Sequence, residues 1–241
     1  MSLNRFIRSV FIGLHLLWFR CIDMCDDRSR EILHILKESF AVPNLSDIAK
    51  DPFKTLIRTI ISQSTAEVNT RRAYENLSKR VPITPKNLAE ADVKVIEDAL
   101  RVAGLYRNKS RVIREISRII LENFNGSLNF IYELPLEEAR RRLMSLPGVG
   151  AKTADIVLLF SAGKPTIPVD THVNRVSKRL GLAPTDGGYE DVRASLQSLY
   201  PSEEYFNVHM LFIALGRRYC RAIKPLCLSC PVRELCPSAK I

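Results

Sequence analysis

Two residues of this 241-residue chain combine types and spacing that chemistry could use, Lys152 and Asp170. Lys152 follows the turn Leu146-Pro147-Gly148-Val149-Gly150 and opens the apolar run Ala151 to Ala162. In the first turn of a helix a cation opposes the helix dipole, so structure alone gains little from a lysine there. A deprotonated amine is a nucleophile for an electrophilic carbon, but free lysine, with a pKa of about 10.4, is almost wholly protonated at neutral pH. Burial and nearby helix ends are the general means by which proteins make such an amine reactive. Asp170, in Pro168-Val169-Asp170-Thr171-His172, is placed to cap a following helix. A carboxylate there can also take a proton from an amine and favour positive charge developing nearby.

A second set is formed by Cys220, Cys227, Cys230 and Cys236, spaced C-x6-C-x2-C-x5-C. No small-x-small cleavage site follows the apolar run Val10 to Phe19, so a secretory route and disulfides are not expected. Four thiolates within 17 residues then indicate a metal centre, and spacing alone leaves zinc and a [4Fe–4S] cluster both open. Cys21 and Cys25 fall outside the set and are expected as free thiols.

The elements that must position these residues read as helices throughout. Apolar residues recur at helical spacing over 30–40, 52–61, 67–79, 92–103, 109–123, 136–146, 151–162, 172–180, 189–199 and 204–216. No sustained alternation of apolar and polar residues predicts a strand, so the fold class is all-α. Asp51-Pro52 supplies an N-cap and a first-turn proline to the clearest amphipathic helix, which ends in the polar run Ser62-Gln63-Ser64-Thr65. The Pro-Gly-Val-Gly turn between 136–146 and 151–162 makes a helix, a hairpin and a helix. Its glycines permit positive φ and close backbone approach, and the free amides at the start of the second helix suit a phosphate. Gly104-Leu105-Tyr106 lies between two helices, with Gly104 as a C-cap and Leu105 as an apolar tip on a basic loop.

Lys and Arg outnumber Asp and Glu by 36 to 26, and a net charge of +10 points to an anionic partner, nucleic acid first. The basic clusters expected to meet it are Arg107, Lys109, Arg111 and Arg114; Arg140 to Arg142; and Arg217, Arg218, Arg221 and Lys224. With ten Phe, seven Tyr and one Trp there is no aromatic-rich platform for single strands. The 46% apolar content supports a globular fold. The run Val10 to Phe19 is too short for a bilayer, which takes about 20 residues. Residues 1–23 are read as an extension or a misassigned start, and His172 and His209 as structural.

The motifs Leu146-Pro147-Gly148-Val149-Gly150-Ala151-Lys152-Thr153-Ala154 and Val169-Asp170-Thr171-His172, with Asp170 eighteen residues beyond Lys152, resemble the signature of the endonuclease III family of DNA glycosylases. The resemblance extends over roughly residues 30–237. It implies a two-lobed helix-hairpin-helix fold, with a six-helix lobe over 44–164 and a second helical lobe built from 24–43 and 165–241. It implies a [4Fe–4S] cluster held by Cys220, Cys227, Cys230 and Cys236 in a loop at 217–237, because that cysteine spacing is the family's. It further implies base excision repair of duplex DNA holding damaged bases, oxidised pyrimidines above all, or abasic sites. Lys152 would form a Schiff base with the sugar beside Asp170, and the strand would be cut 3′ to the site by β-elimination. Gln63 would enter the gap left by an extruded nucleotide, Leu105 would wedge into the stack, and Gly148, Val149, Gly150 and Thr153 would hold the backbone. A monomer inside the cell, with no membrane contact, goes with that reading.

Two rivals remain at this level. A monofunctional mismatch or adenine glycosylase would share the fold. Such relatives typically lack the lysine, and the adenine-specific ones carry a further C-terminal domain, whereas this chain has Lys152 and ends five residues after Cys236. A non-catalytic helix-hairpin-helix DNA-binding module would leave the Lys152 and Asp170 pairing without a purpose.

Overall fold

The computed structural model describes residues 27–45 and 51–239, so the reading of 1–23 as an extension and the free thiols Cys21 and Cys25 lie outside the described residues. Among the described residues there are twelve helices and no strand. None of these helices is long and apolar enough to cross a membrane. They divide between two compact units, one comprising Pro43–Pro168 and the other the described part of Met1–Val42 with Val169–Ile241.

The first unit begins with α2, Pro52–Ser62, where Asp51 caps the helix by accepting from the amides of Phe53 at 3.0 Å and Lys54 at 3.1 Å. Its apolar stripe, Phe53, Leu56, Ile57, Ile60 and Ile61, is buried in the core of the unit. Each such side chain contributes about 1.5–3 kcal/mol on leaving water. Then follow α3 (Glu67–Arg80), α4 (Pro85–Glu90), α5 (Val93–Leu100), α6 (Tyr106–Asn123), α7 (Phe130–Glu133), α8 (Leu136–Met144) and α9 (Ala151–Ala162). The sequence pattern does not show α4 or α7. Helix α4 buries only Leu88 and is started by Thr84, which accepts from the Asn87 amide at 3.2 Å; so short a helix has no repeat to display. The helix read over 92–103 is interrupted, since α5 ends at Leu100 and a 3-10 turn, Arg101–Ala103, follows.

Helix α9 has little amphipathic character because it is buried along most of its length, through Thr153, Ala154, Asp155, Val157, Leu158, Leu159 and Ser161. Burying polar groups there requires partners. Arg140 on α8 donates from Nε to Asp155 Oδ1 at 2.9 Å and from Nη2 to Oδ2 at 3.2 Å. Thr166 donates its hydroxyl to the same Oδ1 at 3.1 Å, and the Ser161 hydroxyl meets Thr55 of α2 at 3.0 Å. Arg140 is therefore removed from the basic surface that Arg140 to Arg142 was read to form. A fully buried carboxylate fifteen residues away holds it inside.

In the second unit α1, 27–39, buries Ile32, Leu33 and Leu36. Arg28 at its start donates to the carbonyls of Leu180 at 2.9 Å, Leu235 at 3.1 Å and Gly181 at 3.2 Å. Helix α10, Thr171–Arg179, packs on α12, Tyr205–Arg218, and on α11, Tyr189–Leu199. The contact of α10 with α12 is close: a Cβ on Gly216 would lie 2.9 Å from the Cβ and Nδ1 of His172.

Breaking the Arg140–Asp155 pair from one side is expected to cost more than a surface substitution would. Arg140→Met should lower the free energy of unfolding by about 3 kcal/mol, read from urea denaturation. A loss under about 1 kcal/mol would show that the pair is not what holds α8 to α9.

Candidate functional site

The hairpin joining α8 to α9 is shaped by two glycines with different reasons for being glycine. Gly148 has φ of 71°, and a Cβ there would meet Val112 Cγ1 at 2.9 Å, so the chain's own packing demands it. Gly150 has φ of −92° and ψ of −179°, extended backbone open to any residue, and nothing lies within 4 Å of where its Cβ would be. Space is therefore kept open at Gly150 on the outside of the turn. As the N-cap of α9 it offers no side chain to the first amides of the helix. Amides at a helix start lack intrahelical partners and favour an anion.

Lys152 is the second residue of α9 and is half-buried, next to these amides. The side chains of Val149 and Thr153 are buried, so what these two residues can offer a ligand is main chain. Gln63 terminates α2 and reaches the hairpin, donating from Nε2 to the Gly148 carbonyl at 3.1 Å and to Thr153 Oγ1 at 3.4 Å. Leu105 is 65% exposed, an apolar side chain on a left-handed residue with φ of 46°, directly before α6. Arg101 and Arg107 flank it, each with its guanidinium over the Tyr106 ring, at 5.6 and 5.8 Å.

Lys109 does not belong to the surface cluster it was read into. It is 4% exposed, and its amine donates to Thr65 Oγ1 at 2.6 Å and to the carbonyls of Ile61 at 2.7 Å and Ala103 at 3.1 Å. Burial lowers its pKa.

In the second unit Asp170 caps α10, accepting at Oδ1 from the amides of His172 at 2.8 Å and Val173 at 2.7 Å. It is half-buried. His172 lies against Gly216 with Nδ1 3.1 Å from Arg175 Nη2. Burial lowers its pKa, Asp170 opposes the shift, and Arg175 and Arg217 add to it. A neutral ring at pH 7 follows, since a lowered value moves further below neutrality. His209 is buried, as a core residue should be.

The four cysteines Cys220, Cys227, Cys230 and Cys236 are half-buried thiols around one cavity of about 340 Å³. Burial pushes the thiols of Cys230 and Cys236 up, and repulsion from the other cysteines adds to it, which reflects how near the four lie to one another. Among the described residues no group of three or more His, Cys, Asp or Glu is arranged to hold a metal ion directly. Two arginines that the sequence reading passed over hold this loop. Arg179 donates to the carbonyls of Arg221 at 2.7 Å and Ala222 at 3.1 Å and approaches Cys220 Sγ at 3.6 Å. Arg175 donates to the carbonyls of Cys220 at 2.8 Å and Gly216 at 3.1 Å. Their i, i+4 spacing on α10 was the available signal, since it puts both on one face.

Residues 57–202 match the model of the HhH-GPD superfamily base excision DNA repair protein. Endonuclease III of Sulfolobus acidocaldarius is 34% identical over 208 residues, 86% of this chain and 91% of that one. Endonuclease III of Thermotoga maritima is 38% identical over 186 residues, 77% of this chain and 83% of that one. Among solved structures, that of a trapped endonuclease III–DNA covalent intermediate superposes with a TM-score of 0.78 at 33% identity, covering 89% of this chain and 96% of that one.

The two hairpin glycines should separate in stability. Gly148→Ala is expected to cost about 1–3 kcal/mol from backbone strain and the Val112 clash, whereas Gly150→Ala should change stability by less than about 0.5 kcal/mol. Thermal melting of the two variants checks this, and equal losses would refute it.

Proposed function

The chain belongs to the endonuclease III family of the HhH-GPD superfamily, base excision repair DNA glycosylases with AP lyase activity, and from that premise we propose that Lys152 is its nucleophile and Asp170 the carboxylate that serves it. The observation that carries this is a lysine, half-buried as a residue, in the first turn of α9, whose N-cap supplies no side chain, in a chain whose relative has been trapped covalently on DNA. A covalent intermediate needs a nucleophile.

Asp170 receives a proton from the Lys152 ammonium, and the freed amine attacks C1′ of the flipped nucleotide. The C1′–base bond breaks with its electrons going to the base, which leaves after taking up a proton. A proton passes from the attached nitrogen to O4′ as the sugar ring opens, which leaves an iminium between Lys152 Nζ and C1′. Loss of a C2′ proton then expels the 3′ phosphate, which cuts the strand by β-elimination, and water releases the enzyme. The cap of α10 engages Oδ1 of Asp170, so capping does not occupy Oδ2 of that carboxylate. His172, neutral beside it, adds no competing cation.

The partner is duplex DNA with a damaged base or an abasic site, and oxidised pyrimidines are the lesions. Gly150, with open space where a side chain would be, and the first amides of α9 receive a backbone phosphate. Gln63 and Leu105 serve the opened stack, since flipping must leave a gap that something fills. Much of the affinity comes from phosphate contacts of a chain with net charge +10 and weakens with salt.

Cys220, Cys227, Cys230 and Cys236 fit a [4Fe–4S] cluster, because four thiols line one cavity and that cluster takes four thiolate ligands. Bound there, it would supply cross-links that hold the loop. Iron and acid-labile sulfide should each be found at about four per chain.

Borohydride added during incubation with lesion-bearing duplex should trap a protein–DNA adduct. Lys152→Ala should bind the same duplex within about threefold of wild type while giving no adduct and losing nicking by about 10³ or more. Undiminished nicking by that variant would remove Lys152 from the mechanism. A panel of single-lesion duplexes tests the substrate class, and preference for alkylated purines over oxidised pyrimidines would overturn it.

A further inference from the structure

The mechanism above makes no use of Lys109, the buried lysine of the first unit. Its three N–H donors have three acceptors: Ile61 O at 2.7 Å, Thr65 Oγ1 at 2.6 Å and Ala103 O at 3.1 Å. Those acceptors belong to two separate turns. Ile61 is in the last turn of α2, where carbonyls lack intrahelical donors and the helix end favours a cation. Thr65 closes the turn that carries Gln63, and its hydroxyl lies 3.1 Å from the Gln63 carbonyl. Ala103 ends the 3-10 turn that precedes Gly104 and Leu105. The same Thr65 hydroxyl also lies 2.5 Å from the Ala103 carbonyl, so the two turns are joined directly as well as through the amine.

The backbone of Lys109 completes the tie, because its amide donates to the Leu105 carbonyl at 3.0 Å. Leu105 needs holding, being a non-glycine residue in the left-handed region with its side chain largely in water. Gln63 is fixed in turn to Gly148 and Thr153 of the hairpin. One ammonium thus stands between the residue that answers a flipped nucleotide and the residue that pries the stack. A surface lysine would do none of this, and a buried one is costly without full satisfaction.

We propose that Lys109 is a positioning residue that locks the Gln63 turn and the Leu105 turn into one body, so that both side chains enter a damaged duplex together. The inference rests on the DNA-repair reading above. It places part of the work of opening the duplex in a group that itself touches no DNA. The consequence is selective: steps that require a base to be extruded should suffer from loss of the clamp, and steps at an already vacant sugar should suffer less.

The test uses duplexes with one damaged base and the fluorescent base 2-aminopurine either opposite the lesion or beside it. Wild type should raise fluorescence at both places on binding. Lys109→Met is expected to weaken both signals together and to slow adduct trapping from the lesion duplex about tenfold or more, while trapping from a duplex already holding an abasic site slows less than about threefold. Thr65→Val removes one arm of the clamp and should give the same pattern at smaller amplitude. It decides the matter if Lys109→Met fails to fold. Equal slowing on both duplexes, loss of signal at one place only, or wild-type behaviour from both variants would overturn the proposal. Failure of the wild-type protein to form an adduct on the abasic duplex would instead count against Lys152 as nucleophile.

Discussion

The arrangement of the first unit depends on a bidentate ion pair buried from solvent. Arg140 on α8 and Asp155 on α9 face each other across the hairpin with both carboxylate oxygens engaged. Taking two charges out of water is unfavourable unless the geometry is good, so the pair tolerates only a narrow range of angles between its helices. Thr166 adds a bond from the segment after α9, which fixes the exit of that helix as well. Lys152 is three residues before Asp155, within one helical turn of the anchor. The main chain that carries Lys152 is therefore anchored, while the turn before it, with Gly148 against Val112, has no room for a side chain on that glycine.

The second unit solves a related problem with a different currency of bonds. A loop with 3-10 turns and little buried apolar surface, Cys220 to Cys236, has few means of holding itself. Arg28, Arg175 and Arg179 serve its backbone carbonyls and those of the adjoining helix ends. Cys236 also donates its thiol to the Arg179 carbonyl at 3.4 Å. A planar guanidinium with five fixed donors suits a curved run of carbonyls better than an ammonium would. The cavity that the cysteines share is lined, besides the loop itself, by Arg179 and Leu180 at the end of α10 and by Leu215 and Tyr219 at the end of α12.

Much of this was legible in the residues. The glycine hairpin, the cap at Asp51, the cap at Asp170 and the cysteine spacing are local patterns, and local patterns survive in a sequence. What did not show was where cations go. Arg140 and Lys109 looked like members of basic surface clusters because their neighbours in sequence are basic. Their partners are a carboxylate fifteen residues on and main-chain oxygens up to forty-eight residues back, and carbonyls leave no trace in residue identity. The short helices α4 and α7 were hidden for another reason, being shorter than two turns of apolar repeat. For Val149 and Thr153 the sequence marked the hairpin segment but could not say that their side chains turn inward.

The internal use of guanidinium and ammonium groups changes the meaning of the formal +10. Lys109 and Arg140 are withdrawn from solvent, and Arg28, Arg175 and Arg179 have their donors turned towards the chain. An outside polyanion therefore meets fewer cations than the tally of lysines and arginines suggests. The ionic-strength sensitivity of any long-range attraction would follow that outward-facing subset, so electrophoretic or titration-based counting of total charge would overstate the number of counterions displaced.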